Sequence, residues 1–142
     1  MKKHIIGTTA LTMALVLSLI TSIPASAAQL RASQYLSSYS AFASASGGRI
    51  TVEYSVFATG IADEVGASQI VIQRKNGSTW TSVKTFNRSS YPALIDEDCL
   101  FYLNTVTYDG TSGQQYRAVV TIYAKIGSGS SSYNYTTNTV TA

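Results

Sequence analysis

The sequence predicts an all-β protein, a seven-stranded antiparallel sandwich of two sheets that follows a cleaved signal peptide. From Tyr39 to Ala142 the apolar residues recur with a period of two, and almost nowhere with the period of a helix. β-branched and aromatic residues are dense, and turn residues recur at intervals of about eight to fourteen residues. Strands of this number and spacing favour a sandwich over a small barrel.

The N-terminus has the three parts of a secretory signal. Two lysines follow the initiator methionine, Ile5 to Ile20 is apolar, and Ala25 to Ala27 supplies small residues for cleavage. A membrane anchor is the alternative, but this apolar stretch is short for a span and no charged stop follows it. We expect a signal peptide over residues 1–27, a flexible mature N-terminus over 28–36 and a secreted sandwich domain over 37–142.

Removal of the signal reduces the kinds of catalytic and binding site that the mature chain can form. The signal contains Lys2, Lys3 and His4, which leaves eight basic residues, seven acidic residues and no histidine. A nearly neutral chain without charge clusters gives no reason to expect nucleic acid or an anionic membrane as partner. Without imidazole, Ser-His-Asp and Cys-His catalysis and histidine metal sites are excluded.

The first two predicted strands form a hairpin. Ser37 to Ser46 is the first, and Gly47-Gly48 is a strong signal for a two-residue turn, which needs the positive φ that glycine adopts cheaply. The second strand, Arg49 to Thr59, alternates strictly. Its core face carries Ile50, Val52, Tyr54, Val56 and Ala58, and its other face is mixed, with Thr51, Glu53, Ser55, Phe57 and Thr59.

A second hairpin is predicted next, with strands at Ser68–Lys75 and Thr79–Phe86 and a turn at Asn76-Gly77. A loop at Gly60–Ala67 precedes it, and a long irregular stretch, Asn87–Asp98, follows it. In the second of these strands Trp80 and Val83 lie three apart. This breaks the alternation and predicts a β-bulge.

The C-terminal strands are predicted at Leu100–Tyr108, Gln115–Ile126 and Tyr133–Thr141, with turns at Asp109–Gly113 and Gly127–Ser132. The middle strand alternates most clearly. The last strand is rich in threonine and uncharged, which suits a sheet edge.

The stretch from Gly113 to Ala124 resembles the F–G hairpin of fibronectin type III and immunoglobulin-like domains. In those domains a tyrosine at the start of strand F ties the preceding corner to the backbone, and Tyr116 matches it. Ile70 to Val83, with Trp80, is similar to a C–C′ hairpin of such modules. The resemblance implies structural roles for Tyr116, Trp80 and Gly113. The cysteine pair of immunoglobulin domains and the strand-B tryptophan of type III domains are absent.

The whole precursor also resembles an uncharacterised family of small secreted proteins of Gram-positive bacteria. This likeness rests on Tyr39, Gly48, Ile50, Val52, Ala58-Thr59-Gly60, Gly66-Ala67, Ile70, Trp80, Val83, Tyr108, Gly110, Gly113, Tyr116-Arg117-Ala118, Ala124 and Gly129-Ser130. It implies export and a shared sandwich but no activity, because such a fold serves many functions.

Catalysis in the mature chain would depend on carboxylates, as in glycosidases. The candidates are Glu53, Asp63, Glu64, Asp96, Glu97, Asp98 and Asp109. Most fall in predicted turns, where acidic residues solvate the backbone, so we expect no enzyme and no catalytic residues. The run Asp96 to Asp98 lacks the spaced ligands of a calcium loop, so we expect no metal or other cofactor. Cys99 is either buried and inert or part of an intermolecular disulfide.

Ten tyrosines and one tryptophan suggest a binding surface. We expect a non-enzymatic module that binds an extracellular surface, glycan or protein partner through Tyr123, Tyr133 and Tyr135. The competing account makes these rings ordinary packing between sheets. One alternative function is a structural subunit that self-assembles through an edge strand at Tyr135–Thr141, and another is a carboxylate-dependent hydrolase. The oligomeric state stays open.

Overall fold

The computed structural model describes residues 33–142, which form nine strands and one short 3-10 turn. The strands are β1 (Leu36–Ser46), β2 (Arg49–Ala62), β3 (Glu64–Asn76), β4 (Thr79–Asn87), β5 (Ile95–Asp96), β6 (Cys99–Asp109), β7 (Gln115–Ile126), β8 (Gly129–Thr136) and β9 (Val140–Thr141). The 3-10 turn, Pro92–Leu94, precedes β5. No α-helix occurs in these residues, so the all-β prediction is confirmed. The predicted signal peptide lies outside the described residues.

Two antiparallel sheets form a sandwich. Sheet A has the order β1-β2-β6, and sheet B the order β4-β3-β7-β8, with β5 paired to β3 and β9 paired to β7. The predicted count of seven strands is wrong, because two short strands are added. β5 arises within the stretch predicted to be irregular. β9 arises because the predicted last strand is interrupted at Thr137, whose hydroxyl accepts a hydrogen bond from the Ala118 N–H.

The predicted loop at Gly60–Ala67 is also wrong. β2 continues to Ala62 and β3 begins at Glu64, so Asp63 is the single residue between these two strands, which belong to different sheets. The Asp63 N–H donates to the Lys125 carbonyl at 2.8 Å, and its carboxylate accepts from the Gly127 N–H at 2.6 Å. These tertiary bonds hold an extended chain where glycine and aspartate favour a turn locally.

Two further local predictions have opposite outcomes. The β-bulge in β4 is confirmed: Ser82 pairs with Gln73 and Lys84 with Ile72, which leaves Val83 as the extra residue. The turn predicted at Gly127–Ser132 is wrong in length, because Ile126 already pairs with Gly129.

The core lies between the sheets and follows the predicted alternation. Its largest fully buried side chains are Tyr54, Tyr116, Leu36, Ile50, Ile70, Ile72, Leu94, Ile122, Val52, Val56, Val65 and Val120. Leu36 is the first residue of β1, so the sandwich begins within the segment predicted as a flexible N-terminus. The buried Tyr54 hydroxyl donates to the Leu94 carbonyl at 2.8 Å, and burial raises the Tyr54 pKa.

Tyr116 occupies the corner between β6 and β7. Its side chain is buried, and its hydroxyl accepts a hydrogen bond from the Thr111 N–H at 2.8 Å. Gly113, with a φ of +83°, donates its N–H to the carbonyl of Ala142 at 2.8 Å. The Tyr108 ring packs on Tyr116 with centroids 5.9 Å apart. The corner is therefore tied to both the core and the C-terminus.

Candidate functional site

Four large apolar side chains are exposed on the outer face of sheet A where its three strands pair, in addition to Ile61 near the end of β2. They are Phe42, Phe57, Phe101 and Leu103, and they are 59%, 42%, 40% and 49% exposed. Side chains alternate between the faces of a strand, so these residues point away from the core while their neighbours fill it. We call these four residues the apolar face.

Strand pairing brings three residues of the apolar face together on β2 and β6. Phe57 on β2 lies directly opposite Phe101 on β6, and their ring centroids are 4.2 Å apart. Leu103 lies opposite Ser55, beside this ring pair. Phe42 lies on the same side of the sheet on β1, and the row of Ser40 and Ser55 separates it from Phe57. An arrangement of this kind offers apolar contact area and no reactive group.

Polar side chains border the apolar face. Glu53 lies opposite Phe42 in the β1-β2 pairing. The hydroxyls of Ser40 and Ser55 are hydrogen-bonded at 2.9 Å. At the end of the sheet, Arg49 Nε donates to Asp109 Oδ1 at 2.9 Å. This exposed pair leaves little net charge at that end of the face.

The outer face of sheet B is polar by contrast. One row of side chains crosses four strands through Asn87, Gln69, Thr121 and Asn134. The Gln69 amide donates to Asn87 Oδ1, and the Thr121 hydroxyl donates to Asn134 Oδ1, both at 2.9 Å. These groups bond one another and suit a solvated surface.

Trp80 also lies on the outer face of sheet B. The Arg117 guanidinium stacks over its ring at 4.3 Å and donates from Nε to Gln73 Oε1 at 2.8 Å. Trp80 is half-buried by this contact. Its neighbours therefore hold the ring in place on the surface of β4.

The three tyrosines predicted as a binding cluster do not share one face. Tyr133 pairs with Ile122 and Tyr135 with Val120, and both partners are buried. Directly opposite residues share a face, so these two tyrosines turn toward the core while Tyr123 points outward. The turn between β7 and β8 has two residues, so odd-numbered residues of β8 lie opposite even-numbered residues of β7. The predicted cluster of Tyr123 with Tyr133 and Tyr135 is therefore wrong.

Tyr133 and Tyr135 close the side of the sandwich against Tyr39 of β1. The Tyr39 ring lies 5.2 Å from the Tyr133 ring and 6.2 Å from the Tyr135 ring, centroid to centroid. Burial raises the pKa of Tyr39. Tyr133 and Tyr135 therefore pack between the sheets, as the competing account of these rings expects.

Tyr123 contributes to a second surface feature. The Arg88 guanidinium lies over its ring at 5.1 Å, and Arg88 Nη2 donates to Glu64 Oε1 at 2.6 Å. That hydrogen bond holds the pKa of Glu64 below its ordinary value. A cavity of about 350 Å³ lies here, lined by Glu64, Arg88, Pro92, Ile95, Asp96 and Glu97. Glu64 offsets the charge of Arg88, so the cavity has no excess of positive charge for an anionic ligand.

Two other predicted candidates, Asp96 and Cys99, have local partners. Asp96 accepts from the Glu97 N–H at 3.0 Å and from the Cys99 thiol at 3.6 Å. Cys99 is half-buried, and burial raises its pKa, which favours the unreactive thiol. Within residues 33–142, no three acidic, cysteine or histidine side chains are placed to hold a metal ion.

The strands predicted from the sequence do not by themselves reveal the apolar face. The available signal was a large apolar residue between two inward-facing small ones, as at Phe42 between Ala41 and Ala43. Phe57 likewise lies between the inward-facing Val56 and Ala58, and alternation alone places it on a mixed face. Strand pairing is needed to recognise that these positions adjoin Phe101 and Leu103.

Across residues 33–142, no helix has the length and apolar character needed to cross a membrane. A scan against protein-family models and searches of curated proteins and of solved structures found no match.

Proposed function

We propose that the mature chain is a secreted, non-enzymatic β-sandwich module that binds a partner outside the cell through the apolar face. The observation that carries the proposal is the exposure of Phe57, Phe101 and Leu103 side by side, with Phe42 exposed on the same side of the sheet. Together they expose on the order of 400 Å² of apolar surface, a patch size that is often functional in soluble proteins.

A protein partner fits this face better than a glycan. Sugar recognition combines ring stacking with several hydrogen-bonding groups, whereas here two of the nearby hydroxyls, Ser40 and Ser55, bond each other. Burial of about 400 Å² of apolar surface contributes roughly 10 kcal/mol of favourable hydrophobic free energy to binding, before the cost of association is subtracted. Association costs roughly 4–15 kcal/mol, so the face alone supports weak, reversible binding.

The order of the strands supports a fibronectin type III-like relationship for this module. Sheet A has three strands, and β4 stays beside β3 in sheet B. In immunoglobulin constant domains a fourth strand joins the first sheet instead. The hydrogen bond from the Thr111 N–H to Tyr116 supports the same relationship, because such domains use a tyrosine to tie this corner.

A carboxylate-dependent hydrolase has less support. A glycosidase of this kind needs a general acid with a raised pKa beside a second carboxylate. Glu64 lines the cavity, but its bond with Arg88 lowers its pKa. This pKa shift of Glu64 is opposite in direction to the raised pKa that a general acid requires.

Affinity capture with residues 28–142 tests the binding proposal. The double variant Phe42→Ser/Phe57→Ser removes two exposed rings from the apolar face. The matched control is Val71→Ser/Val119→Ser, which changes two half-buried residues on the outer face of sheet B. We expect a protein partner to bind the wild type and the control and to bind the Phe variant at least about tenfold more weakly.

Urea unfolding of each variant separates lost binding from lost folding. Equal binding by the Phe variant and the wild type, per folded molecule, would show that the apolar face is not the binding site. Retention by a glycan array, with loss in the same Phe variant, would assign the face to a sugar and overturn the choice of a protein partner.

A further inference from the structure

The free edge of sheet A at β6 lacks the usual protection of a sheet edge. The nine residues from Leu100 to Tyr108 include no charged residue, proline or glycine. Pairing with β2 runs without a bulge from Phe101 to Asp109. Charges, prolines and bulges are the features that keep another strand from adding to an edge. β6 is therefore open to β-strand addition.

The hairpin of β1 and β2 indicates which backbone groups of β6 face this edge. Its two-residue turn makes Ser46 and Arg49 a hydrogen-bonded closing pair, and such pairs alternate along an antiparallel ladder. Odd residues of β2 consequently bond to β1, and even residues bond to β6. The outward N–H and C=O groups of β6 therefore belong to Phe101, Leu103, Thr105 and Thr107.

Two of these outward positions are open within the described residues. The Thr105 N–H donates to Asn104 Oδ1 at 2.7 Å. No hydrogen bond from another segment of residues 33–142 reaches the backbone of Leu103 or Thr107 on this side. A further strand would satisfy these groups directly.

The other three edges of the described sheets differ from β6. On β1, both backbone groups of Ala43 bond the side chain of Asn138. β4 contains the bulge at Val83 and the charged Lys84. β8 carries serine, asparagine and threonine on its outer side. Strand addition at β6 would instead extend a surface that carries Phe101 and Leu103.

We propose that β6 pairs antiparallel with β6 of a second copy of this chain, about a two-fold axis at Asn104. The uncharged run from Leu100 to Tyr108 is centred on Asn104, so this axis overlaps the whole run with itself. Leu103 then lies opposite Thr105 of the second copy, and the Thr105 N–H exchanges its bond with Asn104 Oδ1 for one with the Leu103 carbonyl. Odd positions meet odd positions, as the outward backbone groups require.

Charge also favours a second copy as the occupant. A nine-residue uncharged edge fits an uncharged strand of similar length, which this chain supplies. The flanking Asp98 and Asp109 fall just outside the overlap, and Asp109 is already paired with Arg49. The contact is closed by its two-fold symmetry, so it gives a dimer and not a fibre.

The dimer joins two apolar faces into one surface across six strands. Phe101 and Leu103 of both copies lie along the new seam, while Phe42 and Phe57 lie farther from it. This consequence rests on the proposed function: two joined faces bind a partner surface more strongly than one. The pairing of the strands itself does not depend on that function.

Sedimentation velocity of residues 28–142, from micromolar to millimolar concentration, tests the dimer. Thr107→Pro removes an outward N–H without touching the bonds to β2, and Thr107→Val keeps that N–H in a side chain of the same shape. We expect the wild type and Thr107→Val to dimerise alike. We expect Thr107→Pro to dimerise at least about tenfold more weakly, because the symmetric interface loses the same bond twice.

Amide hydrogen exchange in the wild type keeps the proposal testable if the proline variant does not fold. The amides of Leu103 and Thr107 should exchange rapidly at low concentration and slowly at high concentration. The amides of Tyr102 and Val106, which bond to β2, should exchange slowly at both. A wild type that stays monomeric at millimolar concentration would overturn the proposal, as would a dimer in which Leu103 and Thr107 still exchange rapidly.

The Phe42→Ser/Phe57→Ser variant separates this proposal from the proposed function. Both residues lie away from the β6 edge, so the variant should dimerise like the wild type while its partner binding falls. A monomeric wild type that binds a partner would refute the dimer alone. A dimer whose partner binding is unaffected by the variant would refute the proposed binding site alone.

Discussion

The side-chain amide of Asn138 makes two hydrogen bonds with the backbone of Ala43. Asn138 Oδ1 accepts from the Ala43 N–H at 2.9 Å, and Asn138 Nδ2 donates to the Ala43 carbonyl at 2.8 Å. Asn138 lies between β8 and β9, whereas Ala43 lies at the free edge of β1. The contact joins the two sheets. It also ties the Tyr135–Thr141 stretch, predicted as a self-assembling edge, to β1 of the same chain.

Asn138→Ala should lower the free energy of unfolding by about 2 kcal/mol, since two hydrogen bonds of about 1 kcal/mol each are lost. Urea unfolding measures the difference. Asn134→Ala is the control, because its amide bonds only an exposed threonine hydroxyl on the outer face of sheet B. Equal effects of the two substitutions would show that the contact with Ala43 adds nothing to stability.

Tyr116→Phe should destabilise the protein by about 1 kcal/mol, because the Thr111 N–H loses its acceptor, the hydroxyl of the buried Tyr116. The matched control is Tyr108→Phe, whose hydroxyl makes no hydrogen bond within the described residues and whose ring packs on Tyr116. The midpoint of urea unfolding is the measurement. An unchanged midpoint for Tyr116→Phe would contradict the role of the hydroxyl in the corner.

Tyr133→Ala and Tyr135→Ala should each cost about 2 kcal/mol or more of stability, because both rings pack between the sheets on Tyr39. Tyr123→Ala should cost less, since its ring lies on the outer face beneath Arg88. Thermal unfolding compares the three variants. Partner affinity per folded molecule should stay unchanged in all of them, and a selective loss of affinity would restore the original prediction of a tyrosine site.

Gly66→Ala should be far more destabilising than Gly77→Ala. A Cβ at Gly66 would lie 2.2 Å from the Leu94 carbonyl oxygen, and its φ of +147° also disfavours a side chain. At Gly77 the φ is +62° but no atom lies within 4 Å of the added Cβ. We expect about 1 kcal/mol for Gly77→Ala and at least about 3 kcal/mol for Gly66→Ala. Similar unfolding midpoints for the two variants would contradict the close approach of the chains.

The pair of Glu64 and Arg88 should make stability depend on pH. Its hydrogen bond lowers the folded-state pKa of Glu64 from 4.5, so the contribution is complete above the unfolded pKa and is lost as pH falls through the folded pKa. At neutral pH Glu64→Gln should cost less than about 1 kcal/mol, because the Arg88 side chain is 38% exposed.

Urea unfolding of the wild type and Glu64→Gln at several pH values measures this dependence. The difference between them should shrink as the pH is lowered below 4.5. Asp109→Asn, which removes the more exposed pair with Arg49, is the control and should have little effect. A difference that stays constant with pH would show that the ionic pair does not stabilise the fold.

Local turn signals predicted some boundaries and not others. β7 was predicted from Gln115 to Ile126 and has those bounds, because its alternation and its flanking glycines agree. At Gly60 to Ala67, glycine and aspartate indicated a loop, but bonds from Asp63 to Lys125 and Gly127 keep the chain extended. Those partners lie more than sixty residues away, so no local pattern could reveal them.

The sequence by itself determined the all-β class, most of the strands and the residues that point into the core. These follow from alternation, a property of each strand alone, as in Ile50 to Ala58. Tertiary structure decided which side chains meet. Phe57 and Phe101 adjoin because β2 pairs with β6, although the β3-β4 hairpin separates these strands along the chain. The β6 edge is free because no later strand pairs with it. Pairing between distant strands depends on the packing of the whole sandwich, which a single strand does not encode.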